Sequence, residues 1–296
     1  MASGRVLHGG PHGTPLAHAW VVLHRVTLGG AGGPVDSTRT DARGAFTLSM
    51  GRPDTAAIYV VSSWYDGIAY FSEPVRAFRQ RTELRPLLVY DTSSAGPGVQ
   101  VARRLLTVAR RKPDGARDVL ELVELVNPGT KTRIAADTLQ PTWAGAIPSE
   151  AVQFQVAQGD LSPQAVALQG TRVAVFGPIP PGEAKQLSYA YVLPGSVARL
   201  AIPIDQPIAE VDLLVEDTTA TVTAPALDTL GVQELERRRF ARYRIRVVPA
   251  GAAVTIAFAV GHAFQAESLV PFVVVAAAAA LAVGFVVALR KKTSDV

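Results

Sequence analysis

Ala17-His18-Ala19-Trp20-Val21-Val22-Leu23-His24-Arg25-Val26 and Ser37-Thr38-Arg39-Thr40-Asp41-Ala42-Arg43-Gly44-Ala45-Phe46-Thr47-Leu48 are the two runs on which the fold turns. In an extended chain successive side chains point to opposite faces. The first run therefore puts Ala17, Ala19, Val21 and Leu23 on one face and His18, Trp20, Val22 and His24 on the other. The second run reads as a strand over Ser37–Thr40, a turn over Asp41–Gly44 and a returning strand over Ala45–Leu48. Gly44 can take the positive φ that the turn needs, Asp41 can cap it, and Phe46 then points back into a core.

Working outward, Arg5–His8 reads as a short strand followed by the Gly/Pro loop GGPHGTP. Two further strands are expected around Ile58–Trp64 and Gly67–Ser72, with Asp66-Gly67 suited to a two-residue hairpin turn. Leu87-Leu88-Val89-Tyr90 closes the series. Gly4 and Val6, Pro15-Leu16-Ala17 with Val21, and Thr38-Arg39-Thr40-Asp41 with Gly44 and Phe46 together resemble the carboxypeptidase regulatory-like family. That resemblance covers roughly the first 90 residues and implies a transthyretin-type β-sandwich within a carbohydrate-binding-like group. Its members serve as accessory, adhesive or carbohydrate-binding modules, so it implies a fold more than a function. The first domain is accordingly expected over residues 1–92.

After the linker DTSSAGPG, a second β-sandwich region is expected over residues 98–262, as one sandwich or two small ones. Strands are read at 99–109, 119–126, 152–156, 173–176, 186–192, 198–204, 209–215, 220–223, 240–248 and 254–260, with turn signals such as Pro113-Asp114-Gly115 between them. Pro180-Pro181-Gly182-Glu183 predicts a tight turn into one long strand.

From Leu269 to Leu289 the chain runs LVPFVVVAAAAALAVGFVVAL without a charge. As a helix it would span roughly 30 Å, the hydrocarbon thickness of a bilayer. A transmembrane helix is therefore expected over 268–289, with Arg290, Lys291 and Lys292 flanking it in a short tail, 290–296. The upstream flank HAFQAES has no Lys or Arg, so the positive-inside rule places the tail in the cytoplasm and the β-domains outside, periplasmic or at the cell surface. MASGRVLHGG has no apolar h-region, so export calls for a start upstream of Met1. The alternative is a tail-anchored chain with cytosolic β-domains, which would leave the basic cluster on the wrong side.

The chemistry the chain could perform is narrow. With no cysteine, thiol nucleophiles, disulfides and thiolate metal sites are excluded. His18 and His24 share a strand face near His12, but no carboxylate lies at a matching spacing and no His-x-x-Glu is present, so no metal site and no cofactor are expected. Nucleophile elbows and phosphate loops are absent, and Gly29–Gly33 joins strand to strand. The net charge of +4, with Lys at only five positions, gives no reason to expect nucleic-acid binding, and the Arg, Ala and Gly bias fits a high-GC bacterial genome. Trp64, Tyr65, Asp66 and Tyr70 gather at a predicted hairpin and are the candidate binding residues, for a sugar ring or a protein partner. Arg242, Arg244 and Arg246 share a face that could meet anionic headgroups or pair with Glu234 and Glu236. The expectation is an all-β, non-enzymatic, membrane-anchored module that binds a glycan or a protein. The alternative is an accessory subunit of a membrane complex, whose helix packs through Ala276–Ala280 and Gly284.

Overall fold

Alternation at the first run and turn chemistry at the second are both realised in the computed structural model, which describes residues 1–9, 13–27, 32–49, 54, 57–75 and 82–259. Among the described residues of the first ninety there are nine strands: β1 (Ala2–His8), β2 (Thr14–Pro15), β3 (Trp20–Val26), β4 (Gly33–Arg39), β5 (Ala45–Leu48), β6 (Ile58–Tyr65), β7 (Ile68–Phe71), β8 (Thr82–Glu83) and β9 (Leu87–Val89). They form one sheet in which β1 pairs with β2, β5, β8 and β9, and a second in the order β4-β3-β6-β7. Val6, Phe46, Leu48 and Leu87 from the first sheet and Val21, Leu23, Tyr59, Val61 and Tyr70 from the second share one buried cluster. That is a sandwich core, filled by the inward half of each alternating strand.

Two turns show how local chemistry fixes the register. Gly44 has φ +70°, and a Cβ there would fall 2.5 Å from the Val6 carbonyl oxygen, so this turn needs glycine for both backbone and space. The Asp41 carboxylate accepts from the Arg43 and Ala45 amides at 2.8 and 2.9 Å, closing the hairpin that feeds Phe46 into the core. At the other hairpin, Asp66 and Gly67 both have positive φ and Tyr65 pairs with Ile68, as a two-residue turn requires.

The remaining strands are β10 (Thr92–Ser93), β11 (Gln100–Val108), β12 (Arg117–Val126), β13 (Thr132–Arg133), β14 (Trp143–Ala146), β15 (Val152–Val156), β16 (Val166–Gln169), β17 (Arg172–Val175), β18 (Lys185–Leu193), β19 (Arg199–Ile202), β20 (Ile208–Val215), β21 (Thr221–Thr223), β22 (Leu227–Leu235), β23 (Arg238–Val248) and β24 (Val254–Ala257). Seven of them make the largest sheet, in the order β15-β18-β12-β11-β20-β23-β22. Three-stranded sheets β19-β24-β21 and β14-β17-β16 accompany it, and β10 pairs with β13. The described chain is thus all-β, with a single 3-10 turn at Pro163–Ala165. The chain divides into two compact units. The first comprises Met1–Val99, Val126–Trp143 and Phe176–Ala184, and the second Gln100–Leu125, Ala144–Val175 and Lys185–Val296.

No helix among the described residues is long and apolar enough to cross a membrane. The segment expected to do so, 268–289, and its flank Arg290, Lys291 and Lys292 lie outside the described residues, as do His12, His262 and the loop 28–31.

Candidate binding face

The sheet β4-β3-β6-β7 turns one face to the core, and its other face carries the side chains left over by the alternation. On β3 the inward Ala19, Val21 and Leu23 leave Trp20, Val22, His24 and Val26 outward. On β6 the inward Tyr59 and Val61 leave Val60, Ser62 and Trp64, and on β7 the inward Tyr70 leaves Ala69 and Phe71. Pairing fixes where these meet. Val21 stands opposite Ser63 and Val22 opposite Ser62, so one more step of the same register sets Trp20 opposite Trp64. Phe71 stands opposite Ser62, one row along, and His24 opposite Val60, one row further.

The aromatic groups on this face are exposed beyond what packing requires: Trp20 by 45%, Trp64 by 61% and Phe71 by 60%. With strands about 4.8 Å apart and a rise of about 3.4 Å per residue, the platform from Trp20 to Phe71 spans roughly 12 Å. Polar groups are interleaved with it. His24 Nε2 lies 2.8 Å from Ser62 Oγ, and the Arg39 guanidinium sits over the Trp20 ring at 5.3 Å while Nη1 donates to the His18 carbonyl at 3.1 Å. Beside Phe71 the face opens into a shallow hollow of about 430 Å³, walled by His24, Arg25, Val26, Val60 and the Gly32-Gly33 backbone. Apolar ring faces among a few hydroxyl, imidazole and guanidinium groups suit a ligand with alternating C–H and O–H surfaces.

Of the four residues singled out in the sequence, Trp64 belongs to this face. The other three fasten the first unit from within. The Tyr65 hydroxyl donates to Asp91 Oδ1 at 3.1 Å, and its ring meets His8 edge-on at 5.2 Å. Burial, with the Asp91 carboxylate next to it, pushes the Tyr65 phenol pKa up. His8 Nε2 also reaches Asp91 Oδ1 at 2.9 Å, and the bonds from His8 and then Tyr65 hold the Asp91 carboxyl below the usual range. Asp66 accepts from the Thr92 amide at 2.6 Å and the Thr92 hydroxyl at 2.8 Å, which lower its pKa in the same order. Tyr70 is buried, donates to the Tyr90 carbonyl at 2.8 Å and meets Thr132 Oγ1 at 2.7 Å, and burial raises its pKa. The sequence reading grouped Trp64 with its chain neighbours. Trp20 and Phe71 were the members it did not single out, and for Trp20 the signal was present, since it shares an outward face with His24.

The second unit holds its charges differently. Arg242, Arg244 and Arg246 do share a face, but they pair with Gln233 (2.6 Å), Asp212 (2.8 Å) and Asp228 (2.9 Å), partners other than the expected Glu234 and Glu236. Arg103 joins the same row through Asp212. On the opposite face, Arg104 and Glu121 form a fully enclosed pair. Arg104 Nε is 2.7 Å and Nη2 3.2 Å from the carboxylate, which also accepts from the Tyr189 hydroxyl at 2.9 Å and the Tyr191 hydroxyl at 2.8 Å. Arg104 Nη1 adds the Pro203 carbonyl at 2.7 Å. Burial opposes the Arg104 charge, but the Glu121 charge outweighs it and holds the guanidinium above its ordinary pKa. Burial, then Glu121, pushes both phenols up. A buried network in which the carboxylate receives four donors is a structural anchor. Among the described residues there is no group of three His, Asp or Glu side chains able to hold a metal ion.

No family model matches the chain, and no curated protein matches it in sequence. Among solved structures, an M1 zinc metallopeptidase from Deinococcus radiodurans superposes with a TM-score of 0.37 at 12% identity, over 56% of this chain and 43% of that one. A two-domain M1 zinc metallopeptidase variant bound to L-tryptophan gives 0.36 at 12% identity, over 57% and 44%. The chain thus spans less than half the length of these neighbours, and a likeness of that size carries no chemistry across.

Proposed function

We propose that this chain is a membrane-anchored, extracytoplasmic and non-catalytic β-sandwich protein whose first unit binds carbohydrate on the face of Trp20, Trp64 and Phe71. One observation carries the reading. Three large aromatic side chains on adjacent strands stay exposed on a sheet face whose other side packs Val21, Leu23, Tyr59, Val61 and Tyr70 into the core. Leaving such area in water forgoes about 25 cal/mol per Å² of burial, and a contiguous patch of this kind marks an interaction site. A sugar ring presents a flat C–H surface to an indole and hydroxyls to the polar groups between. The flat platform, His24, Ser62 and the open hollow support that partner over a protein, which would call for a larger and more continuous apolar core. The resemblance of residues 1–92 to carboxypeptidase regulatory-like domains agrees with a binding module. The uncharged run 269–289 before Arg290-Lys291-Lys292 supports the anchor and its orientation.

Tryptophan emission of the full-length chain tests this, because two of its three tryptophans, Trp20 and Trp64, lie on the face. Titration with a panel of neutral and acidic glycans is expected to shift that emission for at least one member. The double variant Trp20→Phe/Trp64→Ala should abolish its binding in calorimetry. A panel with no binder, or a binder indifferent to the double variant, refutes the reading.

A further inference from the structure

The charge around the aromatic platform has one sign. Arg39 lies in the same row as Trp20 and Trp64, opposite Trp20 across the β3–β4 pair. Its guanidinium covers the indole at 5.3 Å and spends one N–H on the His18 carbonyl, so most of its five donors have no bond among the described residues. On another side of the platform the hollow beside Phe71 is walled by His24, while Arg25 pairs across from the core-facing Tyr59 and so stands on the other face of the sheet. His24 Nε2 is engaged with Ser62, and Nδ1 has no bond among the described residues.

Carboxylates that could neutralise these groups are committed elsewhere. Asp36, the one acid on β4, pairs across from the core-facing Leu23, and its oxygens accept from the Ser37 and Ser49 amides at 2.9 and 2.6 Å. Asp66 is held by Thr92, and Glu73, beyond the end of β7, by Arg85 at 2.8 Å. Some exposed arginines stand in ion pairs, as Arg246 does with Asp228. Arg39 is instead stacked on an exposed indole, and no carboxylate bonds its guanidinium among the described residues. Its geometry matches a carboxylate, which accepts two parallel N–H bonds.

We infer that the ligand of this face is an acidic oligosaccharide whose rings lie on Trp20, Trp64 and Phe71 and whose carboxylate is taken by Arg39, with His24 offering a further hydrogen-bonding group at the hollow. The inference rests on the carbohydrate reading above and narrows it to uronic-acid chains. Stacking supplies contact area common to neutral and acidic sugars, and Arg39 supplies the discrimination. The contribution of Arg39 is exposed to solvent and so falls with ionic strength, whereas the stacking contribution persists.

Oligogalacturonides, carboxyl-reduced oligogalacturonides of the same length and a sulfated galactan oligomer, titrated into the full-length chain at low and high salt, distinguish the possibilities. The oligogalacturonide is expected to bind about tenfold more tightly than its reduced form at low salt, the ratio set by one charge-assisted hydrogen-bonded pair. High salt should narrow the ratio. Arg39→Gln should erase most of it, Arg39→Lys should keep part of it, and Trp64→Ala should weaken both ligands. Equal affinity for the two forms in the wild-type chain, unchanged in Arg39→Gln, overturns the acidic assignment and leaves the carbohydrate face standing. Preference for the sulfated oligomer over the oligogalacturonide overturns the carboxylate assignment alone. Binding of none of them, together with no binder in the wider panel, removes both.

Discussion

Replacing Arg104 by Met would test whether the enclosed pair in the second unit is an anchor in the sense the geometry implies. Glu121 is 0% exposed and receives four donors: two from Arg104, one from Tyr189 and one from Tyr191. Methionine fills much of the arginine stem's volume but leaves the carboxylate with two phenols and no countercharge. Breaking one side of a buried pair costs about 3–5 kcal/mol, because the surviving charge stays desolvated. Glu121→Leu in the Arg104→Met background removes that charge and should recover part of the loss. It leaves two buried hydroxyls without partners, at about 1–3 kcal/mol each, so full recovery needs Tyr189→Phe and Tyr191→Phe as well. The order of stability expected is wild type close to the quadruple variant, then the double, then Arg104→Met lowest. All three tryptophans belong to the first unit, so their fluorescence follows the wrong part of the chain. Hydrogen exchange in urea, read on peptides from 100–125 and 185–193, reports the right one. An Arg104→Met variant within about 1 kcal/mol of wild type, or a double variant less stable than the single, would refute the reasoning.

Other outcomes follow from the first unit and the chain end. Asp91 and Asp66 both have carboxyls held below the usual range, so their contribution is complete above the unfolded carboxylate pKa of about 4 and is lost as pH falls through the lower folded value. Asp91→Asn should therefore flatten the acid limb of first-unit unfolding followed by tryptophan fluorescence, and an unchanged limb would count against the His8–Asp91–Tyr65 cluster as its source. Gly44→Ala should destabilise the first unit more than Gly67→Ala, since both have positive φ, at about 1–2 kcal/mol for an L-residue, but only at 44 does the new Cβ strike backbone. Equal thermal shifts would contradict that. Because the chain has no cysteine, Ser149→Cys and Ser294→Cys can be probed one at a time in intact cells with a membrane-impermeant maleimide. Labelling at 149 alone is expected, and labelling at 294 alone would remove the extracytoplasmic reading.

What the sequence disclosed and what it withheld divide along a physical line. Strong alternation with local turn chemistry was legible: Val21 and Leu23 inward against Trp20 and His24 outward, the Asp41–Gly44 turn, the Asp66-Gly67 hairpin, and the long strand after Pro180-Pro181-Gly182 that became Lys185–Leu193. Strand β22 was not, because LDTLGVQEL is exposed on nearly every residue and bulges between Thr229 and Gly231, so no buried face imposes a period of two. Pairings between distant residues were likewise hidden. Glu121 meets Tyr189 and Tyr191 only because β12 and β18 pair with a particular register, and the partners of Arg244 and Arg246 come from β20 and β22. The binding face lies between these cases. Each strand announced its outward residues, but bringing Trp20, Trp64 and Phe71 together required the order β3-β6-β7.

Two sheet faces of this molecule argue about function by contrast. On the seven-stranded sheet, the face carrying Arg103, Asp212, Arg244, Arg246 and Asp228 is closed by its own ion pairs, and its apolar part, Leu105, Leu122, Leu214 and Phe240, is buried. Such a face has little left to offer a partner, since Arg103, Arg244, Arg246, Asp212 and Asp228 already have their complements and the central apolar cluster is covered. Its edge strand β22 is also kinked by a bulge, which discourages pairing with another chain. On the four-stranded sheet the reverse holds. Its inward side packs Val21, Leu23, Tyr59, Val61 and Tyr70 into the core, so the exposure of Trp20, Trp64 and Phe71 does not reflect a poorly formed core. Stability alone would favour polar residues at those positions, and the same alternating strands could carry them without disturbing a single inward contact. That independence of the outward set from the fold is the reason to place the binding function there, with the remaining strands as its rigid support.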